Sequence, residues 1–252
     1  MEGINFLFRP DFTKINYQVL LAAMGQAFFS LSIGMGTLIT FASYFPKGAK
    51  LPGTAVKVSL ADLSIAVLAG IAIIPALFAF GMQPAQGAGL TFIILPNVFM
   101  QMPGGYILSI IFFVMLAIAA LTSTISIMEV VVAYIVQELG FARRTAILIT
   151  LFTAGFVGVF CTLSWSVMAD VQIAGLTIFK LLDFIASNVL LPLGGLLIVI
   201  FVGWYMTRKD VLEELTNGNA IKFKLIKVYR FIIKFLAPVA IAGIFLHLIG
   251  YI

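Results

Sequence analysis

The stretch from Tyr17 to Tyr44 is long and apolar enough to cross a bilayer, yet Ser30-Leu31-Ser32-Ile33-Gly34-Met35-Gly36 interrupts it near the middle with hydroxyls and glycines. That pattern predicts a discontinuous membrane helix. Backbone N–H and C=O groups released by unwinding persist at membrane depth only where they are buried in protein or line a cavity. In carriers, such cavities hold substrate and ions.

The rest of the chain supports a membrane setting. Hydrophobic residues make up 62% of the sequence and charged residues 10%, whereas a soluble domain has about a quarter of its residues charged. The apolar runs are continuous rather than alternating, which predicts helices of about 20 residues instead of the strands of a barrel. Six spans follow: Tyr17 to Tyr44 with its break near residues 30–36, Leu63 to Phe80, Ile107 to Tyr134, Ala146 to Leu163, Leu176 to Met206, and Phe231 to Ile249. They form one membrane domain over residues 1–252. The segment Met82 to Gly104 holds Pro84, Pro96 and Pro103, and its apolar run Leu90 to Leu95 is too short to span, so it is expected to be a structured extracellular loop.

Lys and Arg concentrate in cytoplasmic loops of membrane proteins. Lys47, Lys50 and Lys57 follow the first span, Arg143 and Arg144 the third, and Arg208, Lys209, Lys222, Lys224, Lys227, Arg230 and Lys234 the fifth, which puts twelve of the fifteen basic residues on one side. Both termini of the chain are then outside, in an inner or plasma membrane. The net charge of +5 reads as a topology signal and a contact with anionic headgroups, and nucleic-acid binding is not expected. Met1 to Asn16 has no secretory signal pattern, so an outside N-terminus implies a preceding membrane segment and a chain that is the back portion of something longer. The lone Cys161 precludes an intrachain disulfide. His247 stands without a metal-ligand cluster, and no phosphate loop, dinucleotide fingerprint or Ser-His-Asp arrangement occurs. Asp62 and Asp183 are expected near opposite faces, too far apart to share a proton as a protease dyad would. An enzyme is not expected.

Three motifs in order resemble the neurotransmitter:sodium symporter family. Gly25-Gln26-Ala27-Phe28-Phe29-Ser30-Leu31-Ser32-Ile33-Gly34-Met35-Gly36 with Ala42-Ser43-Tyr44 is similar to the family's sixth helix. Ala120-Leu121-Thr122-Ser123-Thr124-Ile125-Ser126-Ile127-Met128-Glu129 looks like its eighth, and Asp183-Phe184 resembles its tenth. The likeness runs over nearly the whole chain. It implies an all-α polytopic protein with the leucine-transporter-type fold, represented here by the second inverted repeat plus one further helix. The first five helices, with the other broken helix, would lie elsewhere. The implied function is part of a sodium-coupled symporter for neutral amino acids or related amines; the alternative is a non-transporting remnant or accessory subunit of the same fold.

Roles follow from the resemblance together with the chemistry of each group. Sodium, a hard cation, takes oxygen ligands. Thr122 and Ser123 with the carbonyl of Ala119 would form one sodium half-site, and Ser30 with Asp62 part of a second. Back-bonding of Ser and Thr hydroxyls to the preceding turn is the plain alternative. An intramembrane carboxylate costs about 2.5 to 3.5 kcal/mol and so faces a cavity or partner. Asp62 could also supply the charge that chloride gives elsewhere, so chloride is not expected to be required; alternatively it sits in water at a helix end near Lys57. Phe29, Ser30, Ser32, Met35, Ser123 and Ile127 would wall the substrate pocket, although apolar side chains at such places also serve packing. Asp183 would be the extracellular gate acid, partnered by an arginine outside this chain. Gln26 would position that arginine or pack between helices. Glu129 reads as a buried acid of unassigned role, and Pro192, Gly194 and Gly195 should kink the fifth span. No organic cofactor is implied. Two sodium ions crossing a tenfold gradient and 100 mV would supply roughly 7 kcal/mol. Nucleotide hydrolysis is not required.

Overall fold

The computed structural model describes residues 2–46, 48–82, 89–218 and 225–250. Lys47, Pro84, Lys222 and Lys224 lie outside the described residues. Nearly everything described is helical, and a short β1–β2 hairpin (Gln172–Ile173 with Leu176–Thr177) is the sheet. Five helical rods are long and apolar enough to cross a membrane. They are α4 (Leu51–Ala79), α6 (Gly105–Gln137), α7 (Arg143–Leu163), and the composite rods Ile178–Tyr205 and Ile226–Leu248.

The chain divides by contact into two compact units. The first joins residues 1–15 to 56–124. Its α1 (Glu2–Phe8) presses Gly3 onto the Pro75 backbone of α4, where a Cβ would stand 2.5 Å from the Pro75 Cα. Phe6 meets Phe78 at 5.3 Å between ring centroids. The segment expected as a loop contains a helix in its described part: π-helical turns at Leu90–Ile94 run into α5 (Leu95–Gln101). Leu95 and Val98 bury against Leu77 of α4, so apolar packing rather than the polar surface of a loop sets its structure.

The second unit joins residues 16–55 to 125–252. Here α2 (Tyr17–Ser30) starts where Asn16 Oδ1 accepts from the Val19 N–H at 2.9 Å, a side-chain N-cap. Its far end closes with two bonds, Ser32 N–H to the Phe29 carbonyl and Ile33 N–H to the Phe28 carbonyl. With Ser32 at φ 53°, that is a Schellman stop whose left-handed position is filled by serine where glycine is usual. Gly34 and Gly36 follow, also at positive φ, and α3 (Thr37–Ser43) resumes. Phe28, Leu191 and Ile241 form the core beside the break, with Ile33 and Met35 packed on it.

Prolines account for three of the four π segments among the described residues, the one at Phe201–Tyr205 having none close after it. The rod Ile178–Tyr205 comprises α8 (Ile178–Asp183), π turns at Phe184–Leu190, α9 (Leu191–Ile200) and π turns at Phe201–Tyr205. After α10 (Arg208–Thr216), the last rod comprises α11 (Ile226–Phe231), π turns at Ile232–Leu236 and α12 (Ala237–Leu248). Pro96, Pro192 and Pro238 each come shortly after a π segment, and in each case the residue before the proline donates to the carbonyl five back: Leu95 to Leu90, Leu191 to Ala186, Ala237 to Ile232. A proline has no N–H and its ring crowds the carbonyl four back, so the turn widens. The expected kink at Pro192 therefore takes the form of a widened turn.

Candidate functional site

Besides its side-chain packing, the break meets α9 backbone to backbone. A Cβ on Gly34 would lie 2.2 Å from the Leu191 carbonyl oxygen, and one on Gly194 would lie 2.4 Å from the Gly34 oxygen. Gly195 lies beneath the Phe28 ring, where a Cβ would come within 2.2 Å. Glycines at these places let two backbones approach, which fixes the unwound segment relative to the rod.

Of the residues expected in a substrate pocket, Phe29, Ser30 and Ile127 are exposed, and Ser32 lies at the left-handed turn that ends α2. Met35 is packed onto the core cluster, so part of its surface serves the fold. Ser123 is exposed on α6, in the first unit. Asp183 accepts from Ser187 Oγ at 3.3 Å, and no hydrogen bond among the described residues links it to Gln26 on α2.

The expected sodium residues of α6 lie in one turn. Thr122 Oγ1 donates to the Ala119 carbonyl at 2.8 Å, and Thr124 Oγ1 donates to that of Ala120. Both hydroxyls thus back-bond to the preceding turn, the plain alternative to ligation. Asp62, half-buried, sits about three turns into α4 because the helix starts at Leu51. It is therefore not the helix-end residue that the hydropathy of Leu63 to Phe80 suggested. The polar first turns of α4, with Lys57 and Ser59, concealed the true start.

A polar lock completes the second unit. Arg143 grips Glu129 with two bonds, 3.0 Å and 2.8 Å, and Tyr44 Oη donates to Glu129 Oε1 at 2.7 Å. The lock ties the end of α3 to α6 and the first residue of α7. Glu129 was legible as a buried acid, and its side chain is 15% exposed. Its partners were not legible; the available signal was the rule that an intramembrane carboxylate needs one.

A discontinuous helix, a cluster of hydroxyls on α6 and rods with almost no buried residues together define a polytopic membrane protein of the broken-helix type. No residue in the most apolar 18-residue window of α6 is buried, which suits a surface met by lipid or further helices and not by water. The chain belongs to the sodium:neurotransmitter symporter family, whose profile matches residues 1–251. It is 38% identical over 250 residues to an uncharacterized sodium-dependent transporter, YhdH, of Bacillus subtilis, covering 99% of this chain and 55% of that protein. An uncharacterized sodium-dependent transporter of Haemophilus influenzae is 39% identical over 247 residues, 98% of this chain and 53% of its own length. The crystal structure of MhsT in complex with L-phenylalanine matches with a TM-score of 0.85 at 42% identity, covering 97% of this chain and 55% of that one. The leucine-transporter-type fold expected from the motifs is borne out by this match. The chain spans about half the length of these relatives.

Proposed function

We propose that the chain forms the back half of a sodium-coupled symporter for neutral amino acids, operating with a front half that supplies the first five helices. The observation that carries this reading is the unwound segment between Ser30 and Thr37, glycine-seated on α9. The backbone dipoles of an unwound segment suit the charged ends of a zwitterion. MhsT holds L-phenylalanine, which favours an apolar or aromatic amino acid for this chain. Phe29, Ser30, Ser32, Met35, Ser123 and Ile127 would wall the pocket. Ala119, Thr122 and Ser123 would hold one sodium ion, and Ser30 and Asp62 would contribute to a second. Asp183 and Gln26 would serve an outer gate. Asp62 makes chloride dispensable, and the protein sits in the cell membrane with the termini of this chain outside.

Uptake of labelled amino acids into vesicles, with and without an inward sodium gradient and with and without a supplied front half, tests the proposal. Sodium-dependent uptake is expected only with both halves present. Robust sodium-driven uptake by the chain alone would refute the half-site assignment, and none under any condition would favour a non-transporting subunit.

A further inference from the structure

A groove lies in the second unit, between the start of α10 and the first turns of the last rod. It has a volume of about 310 Å³ and is lined by Arg208, Ile226, Lys227, Arg230, Phe231, Lys234 and Phe235. Four of these residues are cations and none is an acid. The salt bridges among the described residues use Lys14 with Asp11 and Arg143 with Glu129, so none of the four groove cations has an ion-pair partner there. The nearby acids are otherwise placed: Asp210 takes a 2.6 Å bond from Thr207, and Glu213 and Glu214 line a separate groove with Asn217 and Gly218. Crowding like charges without a counterion is unfavourable, and it is relieved when an anion binds.

The last rod, which supplies most of the groove's lining, is held in place by contacts next to the groove. Gly203 brings the rod Ile178–Tyr205 close to the last rod, with a Cβ there 3.2 Å from the Ile233 oxygen. Pro238 cannot donate to the Lys234 carbonyl four residues back, and Trp204 Nε1–H donates to it instead, at 3.2 Å. The Lys234 ammonium lies 4.5 Å from the centroid of the Trp204 ring and 5.9 Å from that of Phe235. Tryptophan marks the headgroup level of a membrane, and lysines within spans reach toward that level. The groove therefore pairs a cationic rim with aromatic walls at one depth.

We propose that this groove binds the headgroup of an anionic phospholipid, its phosphate among Arg208, Lys227 and Arg230 and its acyl region against Phe231 and Phe235. The apolar walls select a lipid over a soluble phosphate, which would gain nothing from them. Binding here would brace the last rod at the widened turn before Pro238, independently of transport.

The test uses the full chain in nanodiscs with Trp165 replaced by phenylalanine, which leaves Trp204 as the sole indole reporter. Brominated phosphatidylglycerol should quench Trp204 at much lower mole fraction than brominated phosphatidylcholine. Each interfacial cation contributes about fivefold, so Arg208→Gln with Arg230→Gln should cut that selectivity by about 25-fold. Arg208→Lys with Arg230→Lys should keep most of it and Lys209→Gln, in a neighbouring groove, all of it. Soluble inorganic phosphate should not relieve quenching. Equal quenching by the two lipids, unchanged selectivity in the glutamine pair, or relief by inorganic phosphate would each overturn the proposal. If the glutamine pair does not fold, the lysine pair decides: loss of selectivity with charge retained would count against a charge-selected site.

Discussion

Replacing Gly34 with alanine should damage the break far more than its local geometry alone would. Two terms add. Gly34 has φ 92°, a conformation that costs an L-residue about 1 to 2 kcal/mol. The new Cβ would also stand 2.2 Å from the Leu191 oxygen and 2.8 Å from the Gly195 nitrogen. Both are backbone atoms, which cannot swing aside, so an overpacking cost at the upper end of about 1 to 3 kcal/mol applies. The sum is about 4 to 5 kcal/mol, or roughly 10 °C or more in Tm at 2 to 4 °C per kcal/mol for a chain of this size. Gly140, in the same unit at φ 71°, has no heavy atom within 4 Å of the place a Cβ would take, and so isolates the first term. Gly140→Ala should lower Tm by only about 2 to 8 °C. The assay is thermal unfolding in detergent followed by intrinsic fluorescence. A Gly34→Ala shift no larger than that of Gly140→Ala would refute the close seating of the break on α9.

Other perturbations separate the remaining contacts. Ser32→Gly should raise Tm, because the left-handed stop at φ 53° then carries no Cβ penalty, a gain of about 1 kcal/mol; a drop would mean the serine hydroxyl matters more than its backbone. Trp204→Phe should cost about 1 kcal/mol by removing the indole bond to the Lys234 carbonyl. In a Pro238→Ala background, where a backbone N–H returns, the same change should cost less, and a double-mutant cycle showing no coupling would contradict the account of the widened turn. Breaking the lock by Arg143→Gln should lower Tm more than Tyr44→Phe, since it removes two charged bonds rather than one. A reversed order would place the dominant contact at Tyr44.

How much of this was legible depended on whether a feature is local. The break was, because hydroxyls and glycines at Ser30 to Gly36 disfavour a continued helix within a few residues. The widened turn at Pro192 was readable as a kink, since a proline's missing donor acts four residues away. Helix starts were harder: α4 begins in a polar segment at Leu51, and hydropathy finds only its apolar part. The helix at Leu95–Gln101 escaped because Pro96 stands in its first turn, Pro103 follows it, and its helical state depends on packing with Leu77. Partners across the chain were not legible at all. Nothing in the spacing of Tyr44, Glu129 and Arg143 announces that they meet, and the seating of Gly34 on Leu191 is likewise a tertiary fact.

The central claim is that this chain supplies half-sites whose remaining ligands come from elsewhere. Equilibrium binding of labelled phenylalanine, with sodium or with potassium in its place, should be measured on the chain alone and on the chain reconstituted with the first five helices of MhsT. The account predicts sodium-dependent binding by the pair, weakened by Thr122→Ala, and none by the chain alone. Equal binding by the chain alone, or binding by the pair that ignores sodium, would contradict it.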